Sequence, residues 1–218
     1  TLAFVDVFAT IDGADPTGFA FGPDGNVYVA AFRTNDVRRL SGTGVAIDVP
    51  VQKGAAGLNG PDNGITFGPD GNLYIPGYNS SNLIRFDPRT GLTSVAIARN
   101  AMGLHSTRGI LAERDGSGLL ITGEGSGQLL RLDLASGSVS VRATGFTRPT
   151  GLAFAPNGDL LVVDGNTVVR RDPVTGAPRG TMVASGVGGV DGGTYVAVIP
   201  LVASPPTPVP VVEYYHPG

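Results

Sequence analysis

GFAFGPDGNVYVA at 18–30 decides the fold, because it returns as GITFGPDGNLYIP at 64–76, GILAERDGSGLLIT at 109–122 and GLAFAPNGDLLVV at 151–163. The openings at Gly18, Gly64, Gly109 and Gly151 stand 46, 45 and 42 residues apart, a period that marks one supersecondary unit recurring along the chain. Each copy holds an alternating apolar run, a PDGN, RDGSG or PNGD turn, and a second run rich in Val, Leu, Ile and Tyr. That pattern reads as a β-hairpin with Gly where the turn needs positive φ. A third run follows each hairpin: VRRL at 37–40, LIRF at 83–86, LLRL at 129–132 and VVRR at 168–171. After it come a Gly-bearing turn and a looser fourth run, so each unit reads as a four-stranded meander.

One such meander cannot bury both of its faces. Radial stacking about an axis covers each sheet with its neighbours and leaves only short edges. The expected fold is therefore all-β: a β-propeller of four-stranded antiparallel blades over 1–202. Five blades are expected, with six as the alternative. A fifth copy opens at GGVDGGTYVAVIP, 188–200, without third and fourth runs of the same form. LAFVDVFATI at 2–11 is expected to supply a strand that closes the ring. Residues 203–218 form a separate tail, in which Pro-rich SPPTPVP leads to VVEYY at 211–215. Val211, Val212, Tyr214 and Tyr215 read as a strand for exchange: into blade five, into another subunit, or as the start of a further domain.

The chain has 218 residues, 34 Gly, 17 Pro, no Cys and a net charge of -3. The acidic balance gives no footprint for phosphate backbones, so nucleic acid is not an expected partner. No apolar run reaches the ~18–20 residues of a membrane span. Without cysteine there are no disulfides, thiolate catalysis or cysteine metal sites. A charged fraction of 15% and a first residue other than Met fit an exported bacterial protein, extracellular or periplasmic.

The run P-T-G-x-A-F-x-P-D-G-N-x-Y-V, followed by R-x-D-P-x-T-G, resembles the NHL-repeat propellers and their gluconolactonase-like and streptogramin-lyase-like relatives over roughly residues 15–200. The resemblance to gluconolactonase-like enzymes implies a divalent cation, Ca or Mg, on the axis, held by acidic and Asn side chains beside innermost strands. The matching positions are Asp62, Asn63, Glu124 and Asp164. Arg108, in the place that Asn63 takes one blade earlier, sets a fixed cation against such a site. The resemblance to streptogramin-lyase-like propellers implies a His base, for which His105 in GLHSTRG is the candidate at the channel mouth.

Other features have structural readings beside functional ones. Arg39, Arg85, Arg131 and Arg170 recur in the third runs and are expected to pair with carboxylates or carbonyls of the adjacent blade. Asp24, Asp70 and Asp115 are turn formers, since no EF-hand spacing surrounds them. Phe32 and Tyr78 follow the second runs of blades one and two, and with Arg108 and Arg148 they make a candidate surface for a sugar or anion. The expected function is an exported, non-catalytic binding or scaffolding module with a protein or glycan partner. It could serve as a subunit of an extracellular assembly joined through the C-terminal strand. The alternative is a metal-dependent lactonase or lyase with its site at the channel mouth.

Overall fold

The computed structural model describes residues 6–187 and 192–198. Blade one comprises β1 (Pro16–Phe21), β2 (Val27–Ala31), β3 (Asp36–Leu40) and β4 (Ala46–Val51). Blade two comprises β5 (Thr66–Phe67), β6 (Leu73–Gly77), β7 (Asn82–Asp87) and β8 (Leu92–Ile97). Blade three comprises β9 (Thr107–Ala112), β10 (Gly118–Gly123), β11 (Gln128–Asp133) and β12 (Val139–Ala143). Blade four comprises β13 (Pro149–Phe154), β14 (Leu160–Asp164), β15 (Thr167–Arg171) and β16 (Pro178–Val183). All four are antiparallel meanders in which each strand pairs with the next in sequence. The blade total expected from the sequence reaches further than these four sheets, and the strand-exchange residues Val211, Val212, Tyr214 and Tyr215 lie outside the described residues.

The PDGN turn works as its residue types require. In the β1–β2 hairpin Gly25 takes φ 76°, and Asp24 accepts hydrogen bonds from the Asn26 backbone (3.1 Å), the Asn26 side chain (2.7 Å) and the Tyr28 hydroxyl (3.0 Å). Asp70, Asn72 and Tyr74 repeat the arrangement in blade two. The aspartate thus ties the turn to the first Tyr of the outgoing strand, which explains why D, N and Y recur together.

The core is a series of seams between blades. At the first seam Tyr28 and Ala30 of β2 meet Leu73, Ile75, Ile84 and Phe86 of blade two. Tyr74 and Leu83 meet Leu119, Ile121, Leu130 and Leu132 at the second, and Leu120 and Leu129 meet Leu152, Leu160 and Val162 at the third. Period-2 alternation thus gives each central strand one face for each neighbouring blade. Every fully buried Leu or Ile there contributes ~1.5–3 kcal/mol by leaving water.

At the axis the blades meet through glycine. A Cβ on Gly64 would overlap the Arg108 carbonyl oxygen, one on Gly109 the Thr150 carbonyl oxygen, and one on Gly18 the Asn63 backbone. Gly151 is pressed in the same way against Thr194, Tyr195 and Val196. Residues 192–198 form no ladder but continue the series of innermost segments. Residues 195–197 join β1, β5, β9 and Leu152 around an axial cavity of about 520 Å³.

Two expectations differ from the structure. Within the N-terminal run, residues 6–11 pair in no ladder. They cross the open face of blade one, where Ala9 and Ile11 pack on Val27, Val29 and Leu40; their apolar side chains find burial without strand pairing. Three of the four recurring arginines pair within their own blades rather than with the next, and Arg85 is exposed with no ion pair among the described residues. Arg39 meets Asp24 and Asp48, Arg131 meets Glu113 and Asp133, and Arg170 meets Asp159. The cation lies along the sheet surface, in reach of its own turn and fourth strand. Contacts to the next blade come from Arg114, donating to the Ala155 carbonyl (2.9 Å), and from Arg142, donating to the Pro173 carbonyl (3.1 Å).

Two measurements check this account. Gly109→Ala should cost about 2–3 kcal/mol in urea unfolding, because a buried methyl against backbone forces neighbouring blades apart; an unchanged midpoint would contradict the axial contact. Asp133 has its pKa lowered to about 2 by the Ser136 backbone N–H, then by Arg131 and the Ser136 hydroxyl. Its stabilisation is present above the ordinary carboxylate pKa and is lost as pH falls through the folded value. Asp133→Asn should therefore lower the melting temperature at pH 7 and leave a shallower loss of stability between about pH 4 and 2. Parallel acid titrations of the two proteins would refute this role.

Candidate functional site

The loops that lead into the innermost strands, and the ends of the second strands, share one mouth of the axial channel. Asp62 comes from the approach to β5, Arg108 from β9, Glu124 from the residue after β10, and Arg148 from the approach to β13. Their side chains form one alternating chain of charge. Arg108 donates through Nε to Asp62 Oδ2 (2.9 Å), and its Nη1 lies 2.7 Å from Glu124 Oε2 as an ion contact outside hydrogen-bond geometry. Arg148 donates through Nε (3.0 Å) and Nη2 (2.6 Å) to Glu124 Oε1. That bond to Glu124 raises the Arg148 pKa further above its ordinary value.

Burial explains why each carboxylate has a guanidinium beside it. Asp62 and Glu124 are buried, and a carboxylate removed from water needs an opposite charge and hydrogen bonds to stay ionised. Asp62 Oδ1 also accepts the Asn63 backbone N–H (2.7 Å). Arg108 is largely covered as well, with its guanidinium 5.0 Å above the ring of Tyr78. Tyr78 in turn lies 6.5 Å from Phe32, ring centroid to centroid. A continuous rim therefore runs Phe32, Tyr78, Arg108, Glu124, Arg148. Arg148 keeps over half of its side chain exposed, and it is the cation of this rim most open to a ligand.

The candidate metal ligands are distributed differently. Asp62 and Glu124 come together, but on opposite sides of the Arg108 guanidinium. Asn63 is placed by its backbone, which Gly18 contacts. Asp164 accepts the Arg148 backbone N–H at 2.6 Å and serves to shape that loop. Among the described residues no three His, Cys, Asp or Glu side chains cluster as a cation would require. These residues do not fit a divalent cation as arranged, because a guanidinium stands where the cation's charge would sit. His105 is exposed beside Gly125, its Nδ1 3.1 Å from the Ser106 hydroxyl. Single-residue reasoning missed the double clamp on Glu124. Its signal was that Arg108 and Arg148 both occur within the three residues that precede a blade-opening glycine, Gly109 and Gly151.

Neither a family model nor a curated protein matches the chain. Solved structures do. A chain in the nidogen–laminin complex superposes with a TM-score of 0.72 at 18% identity, over 88% of this chain and 72% of that one. Virginiamycin B lyase from Staphylococcus aureus gives 0.60 at 18% identity, over 75% and 54%. A protein described as a gluconolactonase gives 0.62 at 18% identity, over 76% and 63%. The chain thus has the β-propeller fold that these lyase, lactonase-like and nidogen structures share. It spans only 54% to 63% of the lyase and gluconolactonase chains.

Glu124→Gln removes the charge that both arginines share and leaves Arg108 half-compensated. The expected loss is about 3 kcal/mol in chemical unfolding, the scale for breaking a buried ion pair from one side. A loss no larger than that of Asp87→Asn, an aspartate whose partner Arg89 is mostly exposed, would show that the network carries no weight.

Proposed function

We propose that this chain is a non-catalytic, exported propeller that recognises an acidic glycan at the channel-mouth rim. The observation that carries the reading is the placement of Arg108 between Asp62 and Glu124. The two acids best placed for metal chemistry are consumed in ion pairs. What the rim offers outward is the exposed Nη1 end of the Arg148 guanidinium, whose Nε side is held by Glu124, beside the tilted aromatic pair Phe32 and Tyr78. Aromatic faces receive the apolar face of a sugar ring, and a planar guanidinium receives a carboxylate in two parallel hydrogen bonds. The shared fold with both an enzyme and a protein-complex component leaves such assignments to the site.

The test is a glycan array followed by calorimetry on the best ligand. Arg148→Ala should weaken an acidic glycan about ten-fold or more and leave its neutral counterpart nearly unchanged. Tyr78→Ala should weaken both. Stoichiometric Ca or Mg in the purified protein, displaced together with a lactonase or lyase activity, would overturn the reading in favour of catalysis. Silence across acidic sugars would remove the glycan partner.

A further inference from the structure

On the face that blade two buries, blade one keeps Phe19 and Phe21 in solvent, while Val27, Val29 and Leu40 of the same face are buried. Ile65 of blade two is 4% exposed, whereas Phe19, its counterpart one repeat earlier, is 63% exposed and Phe21 is 67% exposed. Val27, Val29 and Leu40 stand where blade two has Leu73, Ile75 and Phe86, and within the described residues only Ala9 and Ile11 pack on them. Together with Phe8 and Pro16 they line an apolar cleft of about 420 Å³. Ala9 and Ile11 cover the outer part of this face, and the inner part at Phe19 and Phe21 is a seam with one side missing.

The closed seams show what belongs there. At the first, Tyr28 of the preceding blade lies edge-on to Phe67, centroids 5.1 Å apart, over Leu73 and Ile75. At the second, Tyr74 covers Leu119, Ile121 and Leu132. Phe21 is the blade-one counterpart of Phe67, so the missing partner is a strand that presents a tyrosine flanked by small or branched apolar residues. The sequence VVEYY at 211–215 has the pattern such a strand needs: period-2 alternation places Val212 and Tyr214 in one register.

We propose that residues 211–215 of the same chain close the open face of blade one, with Tyr214 set against Phe21 as Tyr28 is set against Phe67. The place where the described chain ends favours this occupant. Thr194 and Tyr195 line one cleft with Thr17, Gly18 and Phe19, so the described chain ends close to the exposed inner part of that face. Twelve residues, 199–210, separate Val198 from the strand. They can span up to about 40 Å, more than the ~15 Å width of four strands at ~4.8 Å spacing. A tether of that length holds the strand at a local concentration of roughly millimolar, so at micromolar protein the chain's own strand outcompetes a second copy's. This inference is independent of the glycan reading and survives its failure.

The chain has no cysteine, which makes a cross-linking test clean. Phe21→Cys with Tyr214→Cys should give an intrachain disulfide under mild oxidation, about ten-fold faster than the control Phe21→Cys with Pro206→Cys. A rate equal to the control, or a disulfide between chains, overturns the proposal; the latter assigns the face to a second copy. Hydrogen exchange on the unaltered chain decides independently of folding in the variants. Amides of 211–215 should be protected by about 100-fold or more, and exchange at the free-chain rate overturns the docking.

Discussion

Adjacent blades touch backbone to backbone at the axis, and the rest of the molecule is arranged around that contact. Gly18, Gly64, Gly109 and Gly151 each lack the side chain that would collide with the innermost segment of the next blade. The residue met is the one just before the next blade's glycine: Asn63 for Gly18, Arg108 for Gly64 and Thr150 for Gly109. Threonine hydroxyls fasten the same junctions. Thr17 donates to the Pro61 carbonyl (3.0 Å), Thr122 to that of Thr150 (2.8 Å) and Thr150 to that of Gly193 (3.0 Å). With the inner strands held at van der Waals contact, the outer strands fan out. The odd and even faces of consecutive second strands then close on each other as dry seams.

The charged mouth inherits its geometry from those contacts. Because Gly64 lies against the carbonyl of Arg108, the Arg108 side chain leaves the backbone close to blade two, between Asp62 of that blade and Glu124 of its own. The sequence of charges along the rim is then negative, positive, negative, positive from Asp62 to Arg148. Every buried carboxylate has a guanidinium neighbour, and the chain of four carries no net charge. Such a network ties the aromatic-lined rim together across blades: Arg108 meets Asp62 and Tyr78 of blade two and Glu124 of its own blade, and Glu124 also takes Arg148 of blade four.

Hairpins, third strands and seam faces were legible because each depends on local periodicity and on turn chemistry repeated four times. The Phe32 and Tyr78 pair was legible for the same reason, as both follow a second strand at equivalent positions. The arginine partners were not, since Asp48, Glu113 and Asp159 sit at places that do not recur between blades. Spacing brings Asp62 and Glu124 to one mouth without saying which cation reaches them, so their pairing with Arg108 was not legible. Alternation marked residues 6–11 as strand-like, yet alternation reports an amphipathic segment. Whether that segment pairs its backbone or lies across a sheet depends on which edges are already taken.

Stacked repeats gain stability interface by interface, so a blade is only as secure as the seams on its two sides. Blades two and three are covered on both faces by buried Leu, Ile and Tyr. Blade one has the same residue pattern but a full seam on one side only, where Tyr28 and Ala30 meet blade two. Its other face keeps two phenylalanines in water, at a position where the repeat elsewhere keeps apolar side chains dry. A chain of marginal total stability rarely maintains so large an apolar exposure on a preformed, flat, strand-lined surface without an occupant. The repeat therefore defines the shape and chemistry of that occupant as closely as it defines the blades themselves: an extended strand, one face apolar, with an aromatic ring at the height of Phe21.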